Sequence, residues 1–246
     1  MPKIHVIIPC FNEAPTLSLC LDRILEVEWP GAWESEIIIV DDSSVDDTRR
    51  IAHDLSNEER CITLLLHDQN RGKGSAVRTG LHHALLSANE DDLLVIQDAD
   101  LEYHPTDLVE AIARFRDSEL DAIIGDRFDV WTKPSDMGSF HMSVNRLLTM
   151  TSNLMTGLEL ADMECCYKVM RTSVVRRILP ELNEERFGIE PQIAASLART
   201  GMCVGNMPVE YEPRTTAEGK KIGIADGVRA LYVIFREWLM GKPSNE

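Results

Sequence analysis

The sequence predicts an α/β fold, a mostly parallel sheet with helices on both faces, and three observations carry that expectation. Short, continuously apolar runs recur along the first half of the chain, amphipathic stretches of helical period lie between them, and the runs end abruptly in acidic or polar residues. Strands that are apolar throughout are buried on both faces, the condition of a parallel sheet covered by crossover helices. With 246 residues, 44% of them hydrophobic, the chain is long enough for one large domain with a full core, or two small ones sharing an interface.

Residues 3–9 (KIHVIIP) read as a buried strand, 14–27 as a helix, and 36–40 (EIIIV) as a second strand that stops at Asp41 and Asp42. A helix follows from residue 46, then a third strand over 61–66 (CITLLL), a helix over 74–88, and a fourth strand over 93–97 (LLVIQ) ending in Asp98-Ala99-Asp100. Pro105 stands where a helix can begin, because its missing N–H is one that the first turn leaves unpaired anyway. That helix runs to residue 117, and a fifth strand covers 121–124. Beyond Gly125 the periodicity fades. Residues 126–140 predict a long loop, a length that in a compact domain marks a functional or mobile segment. Residues 141–156 read as helix, 162–170 as short and irregular, 187–200 as helix, 202–211 as extended, 212–221 as polar loop and 224–240 as a last helix.

Charge narrows the function. The 25 Lys+Arg against 41 Asp+Glu give −16, which repels nucleic-acid phosphate over most of the surface and argues against a nucleic-acid partner. The first residues lack the parts of a signal peptide, and no apolar run is long enough to span a bilayer, so a soluble, cytosolic protein is expected. Cys10, Cys20, Cys61, Cys165, Cys166 and Cys203 form no C-x-x-C pair and read as reduced thiols. His53, His67, His82 and His83 lack metal-ligand spacing.

Ligands in open α/β sheets bind beyond the carboxyl ends of the strands. Three polar clusters fall there: Pro9 to Glu13, Asp41 to Ser44, and Gln97 to Glu102. In extended chain, residues i and i+2 project to one side, so Asp98 and Asp100 are expected side by side, with Glu102 two further on. Such carboxylates repel unless a cation lies between them, and oxygen ligands suit Mg²⁺ or Mn²⁺. A metal held by so few carboxylates needs substrate phosphates to complete its shell, which directs attention to basic residues. Asn70-Arg71-Gly72-Lys73-Gly74 follows the third strand and opens a helix whose N-terminus favours an anion. The stretch matches neither a Walker A loop nor G-x-G-x-x-G, so neither an ATPase nor a dinucleotide enzyme is indicated.

Taken together, VIIPCFNE, IIIVDDSSVDDT, NRGKGSAVRTG and VIQDADLEYHP resemble, in order and spacing, the family 2 glycosyltransferases, in particular the dolichol-phosphate mannose synthase and polyprenyl-phosphate glycosyltransferase group. The likeness continues through IIGDRF, DMECCYKVM, FGIEPQIA, MPVEYEPR and EGKKIGIADGVRAL, and so covers nearly the whole chain. It implies the Rossmann-like GT-A fold. It implies a catalytic domain over 1–211, with a nucleotide-sugar half (1–125) and an acceptor half (126–211), then a mobile basic loop (212–222) and an amphipathic helix with its tail (223–246).

By the same resemblance, Pro9, Asn12, Glu13 and Asp41 or Asp42 line the nucleoside pocket, and Asp98, Asp100 and Glu102 hold a Mg²⁺ or Mn²⁺ ion that bridges the donor diphosphate. Lys73, Lys220 and Lys221 join Asp98 in binding the nucleotide sugar, Arg127 and Arg146 meet a lipid-phosphate acceptor, and Asp98, Asp100, Arg127 and Arg214 form the catalytic set. Two departures stand out: Gln192 replaces a second Glu after Ile-Glu-Pro, which bears on the acceptor side, and Cys10-Phe11 replaces a small residue and Tyr. The implied reaction is inverting transfer of a hexose from a GDP-mannose or UDP-glucose type donor to polyprenyl or dolichyl phosphate.

Two rivals stay open. A transferase acting on a hydroxyl acceptor would need a carboxylate base, for which Glu164 and Glu190 are the candidates, and a non-catalytic nucleotide-sugar binding module would need neither. In the last helix Val228, Leu231, Ile234, Phe235, Trp238 and Leu239 form an apolar stripe that suits either packing on the domain or a membrane surface. From Arg214 to Lys242 there are six basic and three acidic residues, a net +3, so the rest carries −19 and the tail reads as the phosphate-facing part.

Overall fold

A computed structural model describes the chain except residues 32, 117, 129–138, 215–222 and 242–246. Most of the expected long loop, together with Lys220, Lys221 and Lys242, lies outside the described residues. Seven strands form one sheet in the order β3-β2-β1-β4-β6-β5-β7. They are β1 (Lys3–Cys10), β2 (Glu34–Asp41), β3 (Ile62–Leu66), β4 (Leu93–Ile96), β5 (Ala122–Asp126), β6 (Lys168–Arg171) and β7 (Val204–Pro208). The helices are α1 (Leu17–Leu25), α2 (Thr48–Glu58), α3 (Lys73–Ala84), α4 (Asp107–Arg116), α5 (Ser139–Thr156), α6 (Thr172–Ile178), α7 (Ile189–Arg199) and α8 (Ile224–Leu239).

The apolar runs become the centre of the sheet. Ile4, Val6, Ile7 and Ile8 of β1, Ile37 to Val40 of β2 and all of β4 are buried, and β1 pairs parallel to both β2 and β4. The chain steps from β1 outward to β2 and β3, then returns to place β4 on the other flank of β1. That reversal leaves a crevice between the carboxyl ends of β1 and β4, where a doubly wound sheet takes its ligand.

Two elements depart from the sequence reading. Residues 162–170, expected to be irregular, contain the start of β6, which runs antiparallel between β4 and β5. Residues 172–178, unassigned in that reading, form α6. The strand was hidden because its four residues, KVMR, begin and end on charges, although Lys168 is fully buried. α5, α7 and α8 pack on one another. On α8, Ala230, Val233 and Ile234 are buried while Val228, Phe235, Trp238 and Leu239 are exposed, so the expected single stripe divides between two faces.

Candidate active site

At the carboxyl ends of β1, β2 and β4 the chain leaves the sheet through turns that hold Asn12, Ser43 and Leu101 at positive φ (52°, 63° and 64°). Non-glycine residues rarely occupy that region, and such backbone persists only where the surroundings enforce it, frequently at functional sites. Asn12 ties two of these turns together: its amide N–H donates to Ser44 Oγ at 2.9 Å, and its side-chain oxygen accepts the Val45 N–H at 2.9 Å. The turns surround a cavity of about 320 Å³ whose wall includes Pro9, Glu13, Asp42, Lys73, Asp98 and Asp100 on the β1–β4 side. Glu102, Arg127, Glu164, Glu190, Tyr211 and Arg214 also line it.

β4 ends at Ile96, so Asp98 and Asp100 leave the sheet in a turn rather than in extended chain. Each carboxylate meets its own cation. Lys73 Nζ lies 2.9 Å from Asp98 Oδ2 and 3.1 Å from Glu190 Oε1. Arg214 reaches Asp100 Oδ2 at 3.2 Å and Glu13 at 2.9 and 3.2 Å. Burial alone would raise the Asp98 carboxyl, but the adjacent Lys73 ammonium outweighs it and holds Asp98 below the ordinary carboxylate range. Burial also dominates at Asp100; there the charges of Asp98 and Glu102 reinforce it, Arg214 offsets only part, and the carboxyl rises to about 7.

Glu102 is committed elsewhere. Its Oε1 accepts the Arg214 backbone N–H at 2.8 Å and its Oε2 accepts the Tyr211 hydroxyl at 3.0 Å, so it fastens the 211–214 segment to the β4 turn. Among the described residues no three His, Cys, Asp or Glu side chains converge on a metal position. The chemistry of the remaining donors fits a hard divalent cation at Asp98 and Asp100. Two carboxylates share one wall, and the charges of Asp98 and Glu102, which add to burial in raising Asp100, are ones a cation would offset.

The NRGKG turn also serves a different end from the expected anion cradle. The backbone N–H groups of Arg71 and Gly72 donate to Asp42 at 2.9 and 2.6 Å, and His67 Nδ1 lies 2.6 Å from the same carboxylate. Asp42 thereby fixes Gly72, whose φ of +93° suits glycine, at the start of α3, and Lys73 is the part of the turn that faces Asp98. Asp41, fully buried, binds Arg49 at 2.9 Å and is absent from the cavity wall, as are Asn12 and Arg146. Arg146 is exposed with its guanidinium 5.4 Å from the Phe128 ring, while its neighbour Asn145 lines the cavity.

Arg127 does reach the wall, but its guanidinium is held by Asp162 through bonds of 2.6 and 2.9 Å and lies 5.1 Å from the Tyr211 ring. Glu190 is bracketed by Lys73 and the buried Lys168. Glu164 and Glu190 each bury an Oε1 without a hydrogen-bond partner, but Lys73 lies 3.1 Å from that of Glu190, whereas at Glu164 burial, aided by Glu190, pushes the carboxyl up to about 7 against the offset of Lys168 and Arg127. Gln192, fully buried, faces away from the cavity. Its Oε1 accepts the N–H groups of Asn183 and Glu184 at 2.9 and 2.8 Å, and its Nε2 donates to Glu237 at 2.9 Å. That departure therefore belongs to loop and helix packing. Sequence reasoning passed over Lys168, Asp162, Tyr103, Asn145, Arg186 and Phe187; a lone Lys inside the apolar run YKVM was the available sign of a buried ammonium requiring a carboxylate.

The sheet has its topological reversal at β1 and β4, and at that crevice a carboxylate turn is opposed by Lys73 and Arg214. Solved structures of glucosyl-3-phosphoglycerate synthase from Mycobacterium tuberculosis share this fold. The UDP complex superposes with a TM-score of 0.71 at 16% identity over 99% of this chain and 82% of that one. A complex of the same synthase with Mn²⁺, UDP and glucosyl-3-phosphoglycerate gives 0.68 at 16% identity, over 99% and 82%. The model of the glycosyl transferase family 2 matches residues 5–179, and the chain belongs to that family. Among its relatives, the undecaprenyl-phosphate mannosyltransferase of Micrococcus luteus is 26% identical over 90% of this chain and 88% of its own length. The undecaprenyl-phosphate 4-deoxy-4-formamido-L-arabinose transferase of Edwardsiella ictaluri is 30% identical over 93% of this chain and 66% of its own.

Proposed function

We propose that the chain moves a hexose from a nucleoside-diphosphate sugar, of the GDP-mannose or UDP-glucose type, to a polyprenyl phosphate, with inversion at the anomeric carbon. The observation that carries this reading is the opposition of Asp98 and Asp100 to Lys73 and Arg214 within one cavity at the carboxyl ends of β1 and β4. Two relatives named for transfer involving undecaprenyl phosphate support the acceptor.

A phosphate monoester is anionic at neutral pH, its second pKa being near 6, and attacks the anomeric carbon without a base. The residues then have to position the donor and stabilise the leaving diphosphate. In this reading Lys73 and Arg214, which line the cavity, stabilise that developing charge, and Arg127 and Asn145, on the same wall, meet the acceptor. Asp98 and Asp100 are the groups that would hold a divalent cation, whose contribution is to neutralise diphosphate charge.

One observation favours a second reading. Glu164, with a buried unpartnered oxygen and a carboxyl near 7, has the property of a general base for a hydroxyl acceptor. The discriminating experiment measures nucleoside diphosphate release from GDP- and UDP-sugars with Mg²⁺ or Mn²⁺, with and without polyprenyl phosphate. Release is expected only when polyprenyl phosphate is present, and Asp100→Ala is expected to abolish it while the protein stays folded. Release with a saccharide or lipid hydroxyl, lost in Glu164→Gln, moves the assignment to the second reading. Donor binding without release to any acceptor leaves a binding module. The exposed apolar side chains of α5 (Leu147, Met150, Leu154) and α8 (Phe235, Trp238, Leu239) support a peripheral membrane position for a lipid acceptor.

A further inference from the structure

Glu184 is a buried carboxylate outside the cavity wall that two guanidiniums share. It is 2% exposed, and it accepts from Arg229 at 2.9 and 3.1 Å and from Arg236 at 2.5 Å, both guanidiniums coming from α8. Its own N–H is held by Gln192 of α7. Arg236 and Arg199 continue the set to Glu237, and Arg199 to Glu181, so α7, α8 and the 181–184 segment share one ionic network. A buried carboxylate persists only when its bonds are satisfied, which makes the position of the loop a function of the position of α8.

On its other side the same loop rests against the start of α3. The Glu185 carbonyl accepts the Ser75 N–H at 3.0 Å. A Cβ on Gly74 would fall 2.4 Å from the Glu184 carbonyl oxygen, and one on Gly72 would fall 2.5 Å from that of Glu185, so the two backbones are in contact where no side chain fits. Between those glycines stands Lys73, the partner of Asp98, and the next residues of the loop, Arg186 and Phe187, line the cavity.

We propose that Glu184 is a positioning residue of the donor site: through the 183–187 loop it transmits the placement of α8 to the Gly72-Lys73-Gly74 turn and so sets the Lys73 ammonium against Asp98. This rests on the reading that the cavity takes a nucleoside diphosphate. Displacement of a positioning shell by a fraction of an ångström commonly weakens a site by an order of magnitude or more.

The test uses the full chain and isothermal titration with GDP and with UDP in the presence of Mn²⁺, paired with hydrogen exchange at the amides of Gly72 and Ser75. Glu184→Gln, and Arg236→Gln should the first variant fail to fold, are expected to bind the nucleotide about tenfold more weakly and to exchange faster at both amides. Arg236→Lys is expected to recover most of the affinity. Ile62→Ala, which loses packing at β3 on the far edge of the sheet, serves as a control for lost stability, all variants being compared well below their melting temperatures, and is expected to bind and exchange at those amides as the parent does. Parental affinity and exchange in the Glu184 and Arg236 variants, or equal weakening in Ile62→Ala, overturn the proposal. If the parent binds neither nucleotide the donor reading fails, and the exchange at Gly72 and Ser75 decides the role of Glu184 by itself.

Discussion

Glu164 shows how a single side chain can report on the site. A carboxyl at about 7 in the folded protein and about 4.5 in the unfolded chain binds more protons when folded throughout that interval. Stability is therefore fully present below the unfolded value and is lost as pH rises towards 7, by on the order of 2 kcal/mol once the solvent reaching the cavity is allowed for. Asp100 and Asp107, raised to about 7 and about 6, act in the same direction and are common to parent and variant. Glu164→Gln should accordingly show a smaller fall in melting temperature between pH 5 and pH 8 than the parent; an identical fall would mean that Glu164 is ionised at little cost. The residue types of the site were legible in sequence because carboxylates at strand ends cluster by chain order. Their pairing was not legible. The split of Asp98 to Lys73 and Asp100 to Arg214, and the use of Glu102 as a fastening for Tyr211 and Arg214, depend on a turn at Leu101 and on contacts 25 to 114 residues apart in the chain.

At the level of elements, apolar continuity was enough to find β1 to β5, since each is a run with few interruptions, and helical period found α1 to α5, α7 and α8. Boundaries moved by a few residues because turns such as 14–16 and 97–100 continue the residue pattern without its hydrogen bonds. β6 escaped because tertiary pairing, rather than composition, makes a buried strand of KVMR. α3 carries a constraint invisible to helical pattern: Gly80 faces β1 so closely that an added Cβ would lie 2.4 Å from Ile7 Cγ2. Propensity favours Ala over Gly in a helix by about 1 kcal/mol. Overpacking costs about 1–3 kcal/mol. The second effect should win, so Gly80→Ala is expected to lower stability in urea unfolding, and Ile7→Val, which leaves Cγ2 in place, should not restore it. A more stable Gly80→Ala would show that α3 shifts freely over the sheet, which is incompatible with its close contact to β1.

The whole molecule revises the expected division into an acidic body and a phosphate-facing basic tail. Three of the six basic residues from Arg214 to Lys242 are already satisfied by carboxylates: Arg214 by Glu13 and Asp100, Arg229 by Glu184, and Arg236 by Glu184 and Glu237. Attraction of α8 to an anionic surface is therefore weaker than its sequence suggests, and the net charge of −16 opposes it. What α8 still presents outward is apolar: Phe235, Trp238 and Leu239 are 46%, 54% and 76% exposed. Full burial of such side chains contributes about 1.5–3 kcal/mol each, so three of them dominate any contact with a bilayer. The chain is expected to float with zwitterionic vesicles at least as well as with anionic ones, and Phe235→Ser, Trp238→Ser and Leu239→Ser combined should weaken partitioning by on the order of a hundredfold or more. Point substitutions are required because deletion of α8 would also strip Arg229 and Arg236 from Glu184 and leave a buried carboxylate unpaired. Since the three side chains are outside the core, the melting temperature of the triple variant should match the parent. Equal flotation of parent and variant, or flotation that requires anionic lipid, would remove α8 as the apolar contact with the membrane.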